Sequence, residues 1–202
     1  MRDDGVRTRA NIRDAAHTEF AAHGLAGARV DRIAKTAGAN VQRIYAYYTD
    51  KLTLFKACVL EAVVSLDEAI GEVDDVVTLA GRMFDHVAVD PDNVRIITWA
   101  RLEIEDELRE LLDGTEGDPL RRVRALSAAG RIDPRWSPDD VFVGLVSFCE
   151  AWRISAAPTA RTDGSVLRRR ELVLHLAGQL LPVVDQAGSS PSSASAPPGS
   201  PA

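Results

Sequence analysis

The chain of 202 residues is 46% hydrophobic and 27% charged, an ordinary globular composition, and is long enough for one large core with a small satellite rather than two full-sized domains. Its formal charge of −6 is unevenly spread: residues 1–57 carry 10 Lys and Arg against 6 Asp and Glu, or +4, and residues 58–202 carry 14 against 24, or −10. A basic end on an acidic body points to a polyanion as the partner of that end, and the lack of any apolar run near the roughly 18 residues that cross a bilayer, or of an apolar stretch in MRDDGVRTRA, argues against a membrane partner and for a cytoplasmic protein.

Apolar residues recur at helical spacing and no segment alternates with period two, so an all-α chain of about nine helices is expected. The first spans about residues 7–23, with Ile12, Ala16 and Phe20 on one face and Gly24 ending it. A short second helix covers about 29–37, turning Val30, Ile33, Ala34 and Ala37 inward, and stops at Gly38. Asn40 suits the cap of a third short helix at 41–47, because its side chain accepts from an exposed N–H of the first turn. Asp50 caps a long helix at about 51–70. Further helices are expected at about 76–89, 92–112, 119–129, 138–156 and 165–184, with Gly71, Pro91, Gly114, Gly130, Pro134, Pro158 and Gly164 at or near the junctions. Residues 187–202 are all Ala, Gly, Ser or Pro and are expected to be a disordered tail. The expected division is therefore 1–50, 51–186 and 187–202.

Two short helices joined at Gly38-Ala39-Asn40 fit a helix-turn-helix, whose second helix enters the major groove. The stretch from Asn40 to Tyr47 gives about 12 Å of helix, which suits the groove. Ile44 and Tyr48 face inward, leaving Val41, Gln42, Arg43, Ala46 and Tyr47 outward. Gln42 can pair with adenine, Arg43 with guanine, and Val41 or Ala46 can touch a thymine methyl. Tyr45, Tyr47, Lys51 and the amides opening the helix at Lys51 suit phosphate oxygens. The rings of Tyr45 and Tyr47 have an alternative use in packing the small domain, as Tyr48 does.

The run Ile12, Phe20-Ala21-Ala22-His23-Gly24, Val30-Asp31-Arg32-Ile33-Ala34, Ala37-Gly38, Ile44-Tyr45, Tyr48, Lys51 and Leu54-Phe55 resembles the N-terminal pattern of the TetR family (TetR/AcrR type) of bacterial transcriptional regulators, over about residues 9–56. Asn40 stands where the family usually has Ser or Thr, Gln42 where it has Gly, Tyr47 where it has His and Arg29 where it has Thr. Asn40 keeps the capping chemistry and Arg29 can still reach a phosphate. The resemblance implies a homodimer on a palindromic operator in double-stranded DNA, and a helical ligand-binding and dimerisation domain that releases DNA when a small-molecule effector binds.

In that domain the expected dimer face is Val141, Leu145, Phe148 and Trp152 on one terminal helix and Leu172, Leu176, Leu180 and Val183 on the other, the alternative being that they close the protomer's own core. Met83, His86, Trp99 and Glu103 are the candidate ligand contacts, against the alternative that such residues are core. Cys58 and Cys149 read as buried, inert thiols. No Gly-x-Ser-x-Gly elbow, His-Glu-x-x-His, phosphate-cradling loop or CxxC occurs, and the four histidines are scattered, so neither catalysis nor a metal or cofactor is expected. A small enzyme and a DNA-free interaction module that keeps the fold are the rival classes.

Overall fold

A computed structural model describes residues 2–113, 119–154 and 163–182. Ten helices, and no strands, occur among the described residues. They are α1 Arg2–Gly27, α2 Val30–Thr36, α3 Val41–Tyr47, α4 Lys51–Ile70, α5 Val76–Val89, α6 Pro91–Glu103, α7 Glu105–Asp113, α8 Pro119–Ala128, α9 Pro138–Ile154 and α10 Asp163–Gly178. Among these residues no helix is long and apolar enough to cross a membrane. The expected tail at 187–202 and Val183 lie outside the described residues.

Capping chemistry sets several boundaries. Asn40, Asp50 and Asp75 each accept from the third backbone N–H of the helix they precede, at 2.7 Å in every case. α3, α4 and α5 accordingly keep their expected limits. The single helix expected at 92–112 is instead α6 and α7, broken at Ile104 (φ −143°, ψ 47°) without glycine or proline. The break is tertiary in origin, since it sends Ile104 and Leu108 into a core while leaving Glu103 beside α1.

α1 starts earlier than expected and runs past Gly24, whose backbone leaves the helical region (φ 67°, ψ −176°). A break of this kind strands a carbonyl on one side and amides on the other. α6 serves both. Arg95 Nε (2.9 Å) and Trp99 Nε1 (3.3 Å) donate to the Ala21 carbonyl, and the Glu103 carboxylate accepts from the amides of Leu25 and, at 3.1 Å, Ala26. A Cβ on residue 24 would come within 2.8 Å of the Trp99 ring, so glycine is required there by both dihedral and space.

Two hydrophobic cores result. The first joins Ile12, Phe20, Ile33 and Ile44 to Leu54, Phe55 and Val59 of α4 and to Ile96, Ala100, Ile104 and Leu108 of α6 and α7. It therefore extends well beyond residue 50. The second gathers Ile70, Leu79, Met83, Val123, Ile132, Leu145 and Val173. Arg122 of α8 grips Asp67 of α4 through two bonds of 2.6 and 3.0 Å, and Arg170 of α10 pairs with Asp85 of α5 at 2.8 and 2.9 Å.

Gly24→Ala forces a methyl against the Trp99 ring from a left-handed backbone. It is expected to lower stability by about 1–3 kcal/mol, read as an earlier urea midpoint. An unchanged midpoint would mean that the break relaxes without strain.

Candidate nucleic-acid interface

The small end of the molecule is built on α1. Phe20 of α1 meets Phe55 of α4 edge to face (centroids 4.9 Å apart), and Ile33 and Ile44 bury the inner faces of α2 and α3 against them. Glu19 then fastens α1 to α2, accepting from Arg32 Nε (2.8 Å) and from the Arg29 backbone N–H (2.9 Å). Burial of the Glu19 carboxyl raises its pKa, but the bonds from Arg32 and Arg29 outweigh burial and hold it below the usual glutamate value. Arg32 also donates to the Gly27 carbonyl (3.1 Å). This network was not visible in the sequence pattern, because its residues sit on different helices and match no periodic signal.

At Gly38 the backbone takes φ 63° between α2 and α3, leaving α3 projecting with one face inward. Ile44 and Tyr48 are buried, and Arg9 lies over the Tyr48 ring at 5.6 Å. Gln42, Arg43, Tyr45 and Ala46 are exposed side by side on the outer surface, with Val41 half-buried at their edge. Arg29 and Asn40 are also exposed, the Asn40 side chain being engaged as the cap of α3. This cluster combines a bidentate donor, an amide and two small apolar contacts on one short helix.

Three expected contacts are placed differently. Tyr47 is half-buried and its hydroxyl donates to the Gly5 carbonyl (3.2 Å), so the ring braces α1 against α3. Lys51 Nζ donates to the carbonyls of Ala28 (3.1 Å) and Ala26 (3.5 Å), which commits two of its three N–H groups to the last turn of α1 and the residues just after it. The amides opening α4 already have an anion, because the Asp50 carboxylate accepts from Thr53 N.

The expected ligand contacts do not converge. Met83 is buried in the second core, while Trp99 and Glu103 serve the break in α1; none of these, nor His86 on α5, lines the cavity between α5, α9 and α10. His86 is half-buried, and burial lowers its pKa. The expected dimer face also divides. Val141 and Leu145 are buried within their own protomer, and Trp152 turns inward to meet Phe84 edge to face. Phe148 and Leu172 remain exposed, joined by Val143 and Leu167, while Leu176 and Leu180 are half-buried. The correction follows from α9 packing on α5 and α8 with one side and presenting the other outward. Cys58 and Cys149 are buried, and burial pushes each thiol up to about 12, leaving no thiolate at neutral pH.

Residues 12–58 match the bacterial regulatory proteins of the tetR family, and residues 75–178, half of the chain, match the tetracyclin repressor-like C-terminal domain. The chain belongs to the TetR family. Over 103 residues it is 47% identical to the HTH-type transcriptional repressor SCO4008 of Streptomyces coelicolor, a match covering 50% of this chain and 53% of that protein. The chain thus spans about half the length of that curated relative. SCO4942 of the same organism is 36% identical in its crystal structure, which covers 87% of this chain and 98% of its own with a TM-score of 0.70. The fatty acid degradation regulator FadR of Bacillus halodurans, 24% identical, shares the fold (TM-score 0.63, covering 82% of this chain and 93% of its own). The TetR-family match to 12–58 contains the whole α2–α3 unit and the exposed α3 residues.

Glu19 makes the small end of this TetR-family chain sensitive to acid. Its pKa is depressed in the folded state, so its contribution is complete above the unfolded glutamate value and is lost as pH falls through the folded value. The urea midpoint is expected to drop on acidification through that range, and to drop less in Glu19→Gln. Parallel curves for the two proteins would remove Glu19 as the cause.

Proposed function

We propose that the chain is a homodimeric transcriptional repressor that holds a palindromic DNA operator through α3 and releases it when a small molecule binds the helical body. The observation that carries this reading is the outward cluster of Gln42, Arg43, Tyr45 and Ala46 on a helix whose inner face is locked by Ile44. Arg43 reads guanine, Gln42 reads adenine and Ala46 touches a thymine methyl. Arg29, Tyr45 and the remaining N–H of Lys51 hold phosphates and fix the register. The formal charge of +4 on residues 1–57 steers this end toward DNA, and the acidic body turns away.

A palindrome is read by two copies. Val143, Phe148, Leu167 and Leu172 form the exposed apolar strip on α9 and α10 that joins them, with Leu176 and Leu180 at its margin. Two α3 helices then address half-sites about 34 to 36 Å apart or multiples of that spacing. The effector acts by favouring a conformation in which that spacing is lost. α6 transmits the change, because Arg95, Trp99 and Glu103 join it directly to the break in α1.

Fluorescence titration against sheared genomic DNA at low and high salt tests the DNA reading: binding should be strong at low salt and fall steeply as salt rises. Absence of binding at low salt would favour the DNA-free interaction module. On a footprinted operator, Arg43→Ala should cost about 1–3 kcal/mol and narrow the margin over random DNA. Unchanged affinity and selectivity would move base readout away from Arg43. In sedimentation, the double variant Phe148→Glu and Leu172→Glu should run as a monomer where the parent runs as a dimer. A dimeric double variant would put the interface on another face.

A further inference from the structure

The first turns of α1 stand ahead of residue 12, where the family match begins, and they reach α3. The contact is made at the end of that helix. The Tyr47 hydroxyl donates to the Gly5 carbonyl at 3.2 Å, and one turn further along α1 the Arg9 guanidinium lies over the Tyr48 ring, 5.6 Å from its centroid. Tyr47 is the last residue of α3 and Tyr48 is its C-cap. Two successive residues of the helix-turn-helix are thus met by two successive turns of α1.

What these turns present outward has no use within the fold. Arg9 is exposed, and Val6, three residues before it and so its neighbour on the helix surface, is 70% exposed. Stacking occupies a face of the Arg9 guanidinium and leaves the N–H groups at its edge for an anion, which they can hold through paired bonds. Among the described residues no carboxylate pairs with Arg9. Other arginines of this end are committed to one, Arg13 to Glu61 (3.8 Å) and Arg32 to Glu19 (2.8 Å). A helix lying in the major groove has a phosphate strand along each edge. Because α1 meets α3 at the last residue of α3, Val6 and Arg9 stand beside such an edge rather than within the groove.

We propose that the first turns of α1 are a DNA-binding element outside the helix-turn-helix. Arg9 holds a backbone phosphate at the edge of the groove, Val6 lies against the adjoining strand, and Tyr47 is the positioning residue that sets these turns there. The inference rests on the DNA reading above. Phosphate contacts carry no sequence information, so this element adds affinity without adding selectivity.

The test is fluorescence titration of the full chain with sheared genomic DNA across a series of salt concentrations. Arg9→Gln should weaken binding about tenfold at low salt and flatten the slope of log affinity against log salt by about one per protomer bound. Arg9→Lys keeps the charge and should keep the slope. On a footprinted operator, the margin over random DNA should be the same in Arg9→Gln as in the parent. A role confined to packing on Tyr48 would lower the urea midpoint of Arg9→Gln and leave its salt slope at the parent value, and that result would overturn the proposal. If Arg9→Gln does not fold, Val6→Glu decides: a carboxylate at this exposed position should weaken binding to all DNA, and parent affinity there would equally overturn the proposal. Tyr47→Phe keeps the ring and removes the bond to Gly5. It should weaken binding and add nothing to the loss in Arg9→Gln, whereas additive losses would remove Tyr47 as the positioning residue. A parent chain that does not bind at low salt sinks the DNA reading itself; a parent that binds, with an unchanged slope in Arg9→Gln, sinks only the role of α1.

Discussion

The break in α1 at Gly24 is the constraint around which the molecule is arranged. A helix that stops and restarts frees the carbonyl of buried Ala21 and the amides of half-buried Leu25 and exposed Ala26, and a polar group turned away from water must find a partner. All three find one on α6, in the Ala21 carbonyl bonds from Arg95 and Trp99 and in the Glu103 carboxylate over Leu25 and Ala26. Fixing α6 there fixes Ile96, Ala100 and Ile104 in the same core as Phe20 and Ile44. The position of α3 relative to the body is thereby determined from behind, by a helix outside the helix-turn-helix unit. A helix-turn-helix held only by its own short helices would have a far weaker connection to anything that happens in the body.

Local chemistry was legible in the sequence wherever it decided the structure. Asn40 and Asp50 were readable as caps, and the helices after them begin where those caps place them. The spacing of Ile12, Ala16 and Phe20 gave the inner face of α1, and all three are buried. The family pattern from Ile12 to Phe55 likewise covers the stretch that the family match covers. Long-range partnership was less legible. Trp99 and Glu103 stand one turn apart in the sequence, and only the fold supplies the break at Gly24 as what they meet. Ile104 carries no breaking signal, and its break is imposed by two packing surfaces that periodicity treats as one.

The same limit explains α9. Periodicity finds an apolar stripe through Val141, Leu145, Phe148 and Trp152, yet it cannot say which edge of a broad stripe a neighbour covers. α5 and α8 cover the edge with Val141, Leu145 and Cys149, leaving Val143 and Phe148 to the outside. Tyr47 is a similar case. An outward position on α3 was read as a contact with DNA, whereas the N-terminal turns of α1 reach far enough to receive its hydroxyl at Gly5. Those turns lie ahead of the stretch that matches the family, so the pattern gave no reason to expect a partner there.

The shared first core has a consequence for modularity. A headpiece cut at residue 50 would lose Leu54, Phe55 and Val59, all fully buried, and with them the floor on which Phe20 and Ile33 rest. It would also leave the Ala21 carbonyl and the amides at the break to water. Exchanging N-terminal ends between chains of this family by splicing at the start of α4 would therefore graft a headpiece onto a body whose α6 was shaped for a different α1. The unit that can be exchanged intact is the headpiece together with the inward face of α6, and the two must change in step for a new headpiece to seat on the body.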